Sequence, residues 1–93
     1  MALYESAKGT FDGNEQTHAF TYRAGFIMFW SPDKDFYVEL DDSIDSNSFL
    51  WPKDTVFMRW LGCKVLHYKA GSAGGSIYIW GEYVTPHQQI ADA

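Results

Sequence analysis

Turn-forming residues interrupt this chain at short intervals, and what they leave between them is too short, and too rich in β-branched and aromatic residues, to be helix. The breaks fall at Asp12-Gly13-Asn14, Ser31-Pro32-Asp33, Asp41-Asp42-Ser43, Pro52-Lys53-Asp54 and the run from Ala70 to Gly75. Gly, Asn and Asp tolerate left-handed backbone and Pro fixes φ, so such clusters reverse the chain. The segments between them predict strands at Leu3–Ala7, His18–Arg23, Phe26–Trp30, Phe36–Leu40, Thr55–Leu61, Cys63–Lys69 and Ser76–Val84. No window holds apolar residues at i, i+3, i+4 and i+7 for the length a helix needs. Only Ser43–Phe49 and Pro86–Ala91 could each form one short helical turn. The expected fold is all-β: a single antiparallel β-sandwich or jelly-roll-like barrel of about seven to eight short strands.

A chain of 93 residues supports one core. Residues 1–84 are assigned to the β-sandwich, and 85–93 to a polar C-terminal tail expected to dock on a partner. Cys63 is the only cysteine, so no disulfide can form within the chain, and reducing surroundings or an assembly that hides the thiol fit it. The longest apolar run, Phe26 to Trp30, is far short of a signal-peptide core or a bilayer span. The expected location is therefore the cytoplasm, or a virion if the chain belongs to a larger particle, with no membrane partner.

Composition matters most through the aromatic residues, 18% of the chain as seven Phe, six Tyr and four Trp. Strand alternation says where they go. Phe20 and Tyr22 share one face of their strand, and Phe36, Val38 and Leu40 oppose Tyr37 and Glu39, which is the pattern of half-buried strands. Phe26 to Trp30 is different, because Phe26, Met28 and Trp30 face away from Ile27 and Phe29, so both faces are apolar. The last strand repeats this, with Ile77 and Ile79 opposing Tyr78 and Trp80, and Thr55–Leu61 places Val56, Met58 and Trp60 opposite Phe57, Arg59 and Leu61. A sandwich covers only the inner face of each sheet. The outer aromatics then require something else to cover them.

The sequence holds no constellation that predicts catalysis, a metal or a cofactor. Cys63 and His67 share a strand face, but four residues of strand separate them by about 13 Å, too far to hold one zinc together. Six of the twelve acids lie from Asp33 to Asp45. Counted from Asp41, however, an EF-hand loop would need Gly at Ser46 and Glu at Pro52. Asp41, Asp42, Asp45 and Asn47 leave a looser calcium site open beside the simpler reading of a solvated acidic loop or a docking edge for a basic partner. Ser72 and Ser76 sit in a glycine-rich connection read as a flexible hairpin loop, which matches no nucleophile elbow or phosphate-binding pattern. Glu39 and Glu82 pair as glycosidase carboxylates by residue type alone. The string Arg23-Ala24-Gly25-Phe26-Ile27-Met28-Phe29 faintly resembles the aromatic core strand of RNA-recognition and cold-shock domains. It lacks the helices of the first and the residue order of the second, and a net charge of −5 disfavours nucleic acid.

Two readings of different kinds remain. In the first the chain is a non-enzymatic structural or interaction protein that packs into an oligomer or larger assembly, contacting protein subunits through Trp51, Phe57, Tyr78 and Trp80. Trp51 is chosen because it precedes Pro52 in a loop that core packing does not demand. A small, acidic, all-β chain of this kind resembles, in composition and not by any motif, the decoration, cement or tail-associated proteins of phage particles. In the second it is a carbohydrate-binding module, in which Trp51, Tyr78 and Trp80 stack on sugar rings while Glu82 or Asp54 takes the hydroxyls.

Overall fold

The computed structural model describes residues 3–83; the expected polar tail, the helical turn at Pro86–Ala91 and Val84 lie outside them. Seven strands run in the order β1 (Tyr4–Asp12), β2 (Gln16–Trp30), β3 (Phe36–Leu40), β4 (Phe49–Trp51), β5 (Phe57–Arg59), β6 (Cys63–Ala70) and β7 (Ala73–Tyr83). All pairings are antiparallel, in one sheet ordered β1-β7-β2-β6-β3-β4, with β5 added to β2. The expected all-β class is therefore what the chain adopts, and no described residue is helical.

Strand β2 shapes this sheet. Its 15 residues would span about 50 Å if straight, whereas the longest extent of the molecule is 40 Å. The strand bends, and its register shifts at the bend against both neighbours, between Ala19 and Ala24 on the β6 side and between Ala24 and Phe26 on the β7 side. Before the bend Gln16 to Ala19 pair with β6. After it, Ile27, Met28 and Phe29 pair with β7 along one edge and with β5 along the other. One layer therefore holds β1, β7, β5 and the second half of β2, and the facing layer holds the first half of β2 with β6, β3 and β4.

The layers meet through aromatic rings. Phe11 of β1 lies 5.6 Å from Phe36 of β3 and 5.9 Å from Tyr68 of β6, and Phe29 of β2 lies 5.7 Å from Phe36. Ile27, Leu66, Ile77 and Ile79 fill the space between these rings, and all of these residues are buried. Tilted and edge-on ring pairs at such separations are the favoured geometry for aromatic packing. Phe20 closes the core beneath Gly81 of β7, where a Cβ would stand 2.9 Å from ring atom Cδ1 and closer still to Cε1. The glycine is required by this close approach of ring to backbone, not by its conformation.

Glu5 joins the edge of β1 to the first half of β2, where no backbone ladder forms between them. Its carboxylate accepts hydrogen bonds from the Thr21 backbone N–H at 2.7 Å and from the Tyr83 hydroxyl, and it lies 3.1 Å from His18 Nε2. Gln16 works further along the same seam, donating to the Thr10 carbonyl at 2.9 Å and accepting from the Asp12 N–H at 3.1 Å. Burial opposes ionisation of Glu5, but the hydrogen bonds from Tyr83 and Thr21 and the interaction with His18 outweigh it and hold the carboxyl below its ordinary value of 4.5.

Several expected boundaries change. His18–Arg23 and Phe26–Trp30 are one strand, because Ala24 and Gly25 form a bend within β2 instead of a chain break. Thr55–Leu61 keeps only Phe57–Arg59, while Leu3–Ala7 extends to Asp12. The helical turn expected at Ser43–Phe49 is absent. There the Asp45 carboxylate accepts from Asn47 N–H and Ser48 Oγ from Asp45 N–H, which uses the donors a helix would need, and Phe49 opens β4. The glycine-rich hairpin is short, since Ala73–Ser76 already belong to β7. Gly74 and Gly75 adopt φ of +94° and +85°, and Lys34 Nζ holds the turn through Ser72 Oγ and the Ser72 carbonyl.

Two expectations test this architecture. Gly81→Ala should lower the unfolding free energy by about 1–3 kcal/mol through overpacking against Phe20, and adding Phe20→Leu should recover part of the loss in urea titrations. Glu5 has a depressed pKa, so its contribution is full above its ordinary value and is lost as pH falls through the folded-state value. Melting temperature should therefore drop on acidification below about 4.5, and the drop should be shallower in Glu5→Gln.

Candidate interaction face

The two layers have outer faces of different character. On the layer of β6, β3 and β4, outward positions carry Thr17, His67, Lys69 and Glu39, with Ala19, Val65, Tyr37 and Leu50 scattered among them. His67 Nδ1 lies 3.0 Å from Glu15 Oε2, an arrangement that keeps the Glu15 carboxyl below its ordinary value. The apolar residues of this face are interrupted by charge. The other outer face is dominated by aromatic and Met side chains, with Ser6, Lys8 and Glu82 among them, and the strand register sets it out as rows.

Ser6 of β1, Trp80 of β7, Met28 of β2 and Met58 of β5 lie side by side across four strands. Lys8, Tyr78 and Trp30 form the next row, and Tyr4, Glu82 and Phe26 the row on the other side. All occupy alternate positions whose neighbours, Ala7, Ile27, Phe29, Ile77 and Ile79, point into the core. Because the core consumes one face of each strand, these aromatics have nowhere else to go.

On the face the rings pair with one another. Tyr4 stacks on Trp80 with centroids 4.3 Å apart and planes 14° from parallel, and Trp30 stacks on Tyr78 at 5.5 Å and 29°. Phe26 meets Trp60 at 4.7 Å, and Trp60 is 77% exposed. Lys8 Nζ stands 5.6 Å from the centre of the Tyr78 ring, within reach of a cation–π attraction. Trp80 Nε1 donates to Glu82 Oε2 at 3.1 Å. Between β1 and β2, over the β7 backbone, lies a groove of about 460 Å³ walled by Ser6, Lys8, Met28, Trp30, Val56, Tyr78 and Trp80, within the size range of binding clefts.

The four residues expected from the sequence to make contact divide into two pairs. Tyr78 and Trp80 are neighbours in the groove wall. Trp51 and Phe57 lie at one end of the core layer instead: Phe57 stacks on Phe29 at 4.4 Å, Trp51 lies 5.3 Å from Phe57, and the Trp51 indole N–H donates to the Thr55 carbonyl. Both are half-buried against the core. The loop reading of Trp51 gives way to a place in β4 opposite Phe36. The sugar-binding set does not converge either, since Trp51 is turned to the core and Glu82 accepts from Trp80. Tyr4, Lys8, Met28 and Trp30 escaped selection, because the pairing of β2 with β7 that sets them beside Tyr78 and Trp80 links segments far apart in sequence.

The acidic stretch has structural work to do. Asp41, at φ +60°, accepts from the N–H groups of Lys64 and Val65 at 2.8 Å each and lies 3.5 Å from Arg23. Asp33 accepts from Ser76 N–H, Asp35 from Lys53 N–H and Glu39 from the Ser48 hydroxyl. These carboxylates fasten loops to neighbouring strands. No three His, Cys, Asp or Glu side chains converge among the described residues. Cys63 is buried, and that burial, with Asp41 nearby, pushes its thiol up to about 12. No helix among the described residues is long and apolar enough to cross a membrane.

The chain matches no protein-family model, no curated protein and no solved structure. Truncations should separate the two groups of aromatics. Phe29→Ala should cost about 3–5 kcal/mol and Trp51→Ala about 2 kcal/mol of stability, whereas Tyr78→Ser should fall within about 1 kcal/mol, each measured by chemical denaturation.

Proposed function

We propose that this chain is a non-enzymatic interaction protein that packs into an oligomer or larger assembly by burying the outer face of the β1-β7-β2-β5 layer against a protein subunit. The observation that carries this reading is the contrast between the two outer faces. The face around His67 and Glu39 mixes charged and polar side chains with scattered apolar ones such as Leu50 and Val65, and the one around Trp80 gathers Tyr4, Met28, Trp30, Met58, Trp60 and Tyr78 into one largely apolar surface. A monomer surface normally scatters its apolar residues, and a contiguous aromatic patch is characteristic of an interface core. Trp and Tyr are also the residues that most often dominate interface energetics.

A protein partner fits this face better than a sugar does. Its broad rings are stacked on one another in pairs, and the carboxylate nearest them, Glu82, already accepts the Trp80 indole N–H. The finer form of the reading, a virion accessory role in capsid decoration or at a tail, rests on the small size, acidity and aromatic richness of the chain. Light scattering over a wide concentration range should show the wild-type chain associating beyond a monomer, with Tyr78→Ser/Trp80→Ser shifting it to a monomer of unchanged melting behaviour. A wild-type chain that stays monomeric at high concentration and captures no protein from its source would overturn the proposal.

A further inference from the structure

Resting on that docking reading, we propose that the groove over β7 receives a partner segment in which a bulky apolar side chain is flanked by Asp or Glu. Charge within the groove points this way. The chain carries a net charge of −5, yet among the described residues no acid lines the groove, and the one ionic group there is Lys8. Lys8 has no carboxylate partner among the described residues. Its Nζ is held near the Tyr78 ring at 5.6 Å instead. Four of the other six cations are engaged within the chain: Arg23 with Asp41, Lys34 with the Ser72 turn, Arg59 with the Met58 carbonyl, and Lys64 with the carbonyls of Phe20 and Thr21.

The hydrogen-bonding inventory has the same sign. An indole N–H can only donate. That of Trp80 is taken by Glu82, and that of Trp30, which is not buried, makes no hydrogen bond to the described residues. Lys8 likewise only donates. The groove thus combines an apolar floor and walls with a solvent-exposed ammonium, and a ligand that is apolar and carries carboxylates complements both. A basic or purely apolar segment would leave Lys8 repelled or stripped of water without a partner. On an acidic protein, a groove whose one lining charge among the described residues is positive also differs from most of the surface around it.

The test uses the full chain, isotopically labelled, titrated with acetyl-Asp-Phe-Leu-Glu-amide, acetyl-Lys-Phe-Leu-Lys-amide and octanoate while backbone and indole resonances are followed. The acidic peptide should shift the Trp30 indole and the Lys8, Met28 and Tyr78 amides and bind about fivefold or more tightly than the basic one. Lys8→Glu should reverse that ranking. Equal binding of the two peptides, no binding of either, or an unchanged ranking in Lys8→Glu would overturn the assignment. So would octanoate binding more tightly than the acidic peptide, which would make the groove a site for small amphiphiles. Loss of the ranking while Tyr78→Ser/Trp80→Ser still abolishes association would reject the acidic segment and leave the docking face standing. Loss of both would reject the face itself.

Discussion

One bent strand, β2, serves both layers of this molecule, and most other features follow from that constraint. Its first half hydrogen-bonds to β6 and its second half to β7 and β5, so the layers cannot move apart without disrupting pairing along this one strand. The bend brings Phe20 beneath the β7 backbone, and only glycine at position 81 admits the ring there. With no disulfide available, the chain gains its cohesion from this shared strand and from aromatic rings that cross the interior. A small domain has little buried area to spare, and large rings such as Phe11, Phe29 and Phe36 concentrate much of it in few residues.

The bend also leaves the first half of β2 without a backbone ladder to β1, and side chains span the gap. Glu5 and Gln16 satisfy N–H and carbonyl groups that would otherwise have no partner on that edge. The same economy appears in the loops. Ser31, Asp33, Asp35 and Asp41 each bind backbone N–H groups, which accounts for acids that otherwise look like a ligand cluster. Negative charge here follows from how turns are fastened, and the groove lined by Lys8 and aromatic residues stands apart from it.

How much of this could be read in advance depended on whether a signal was local. Period-two alternation in Phe36–Leu40 and Ser76–Val84 marks both as strands and sorts their side chains into two faces, because an alternating side-chain pattern is a property of a single segment. The outward position of Tyr78 and Trp80 was legible for the same reason. Strand pairing was not, since no short-range pattern states that Met28 lies beside Trp80 and Trp30 beside Tyr78. That is why Trp51 was grouped with them: a Trp before Pro52 looked like a loop residue, and only its pairing with Phe36 turns it toward the core. Strand β4 is three residues long, too short for alternation to register. The bend at Ala24-Gly25 looked like a chain break because small residues mark both.

The burial of Cys63 has a practical meaning. Its sulfur sits where β6 meets the bend of β2, opposite Ala24, with no exposed surface and a strongly disfavoured thiolate. An alkylating reagent can react there only when the pairing of β6 with the β2 bend opens. The chain therefore carries its own single-site clock for opening at the strand on which both layers depend, and the labelling rate reads how often that happens.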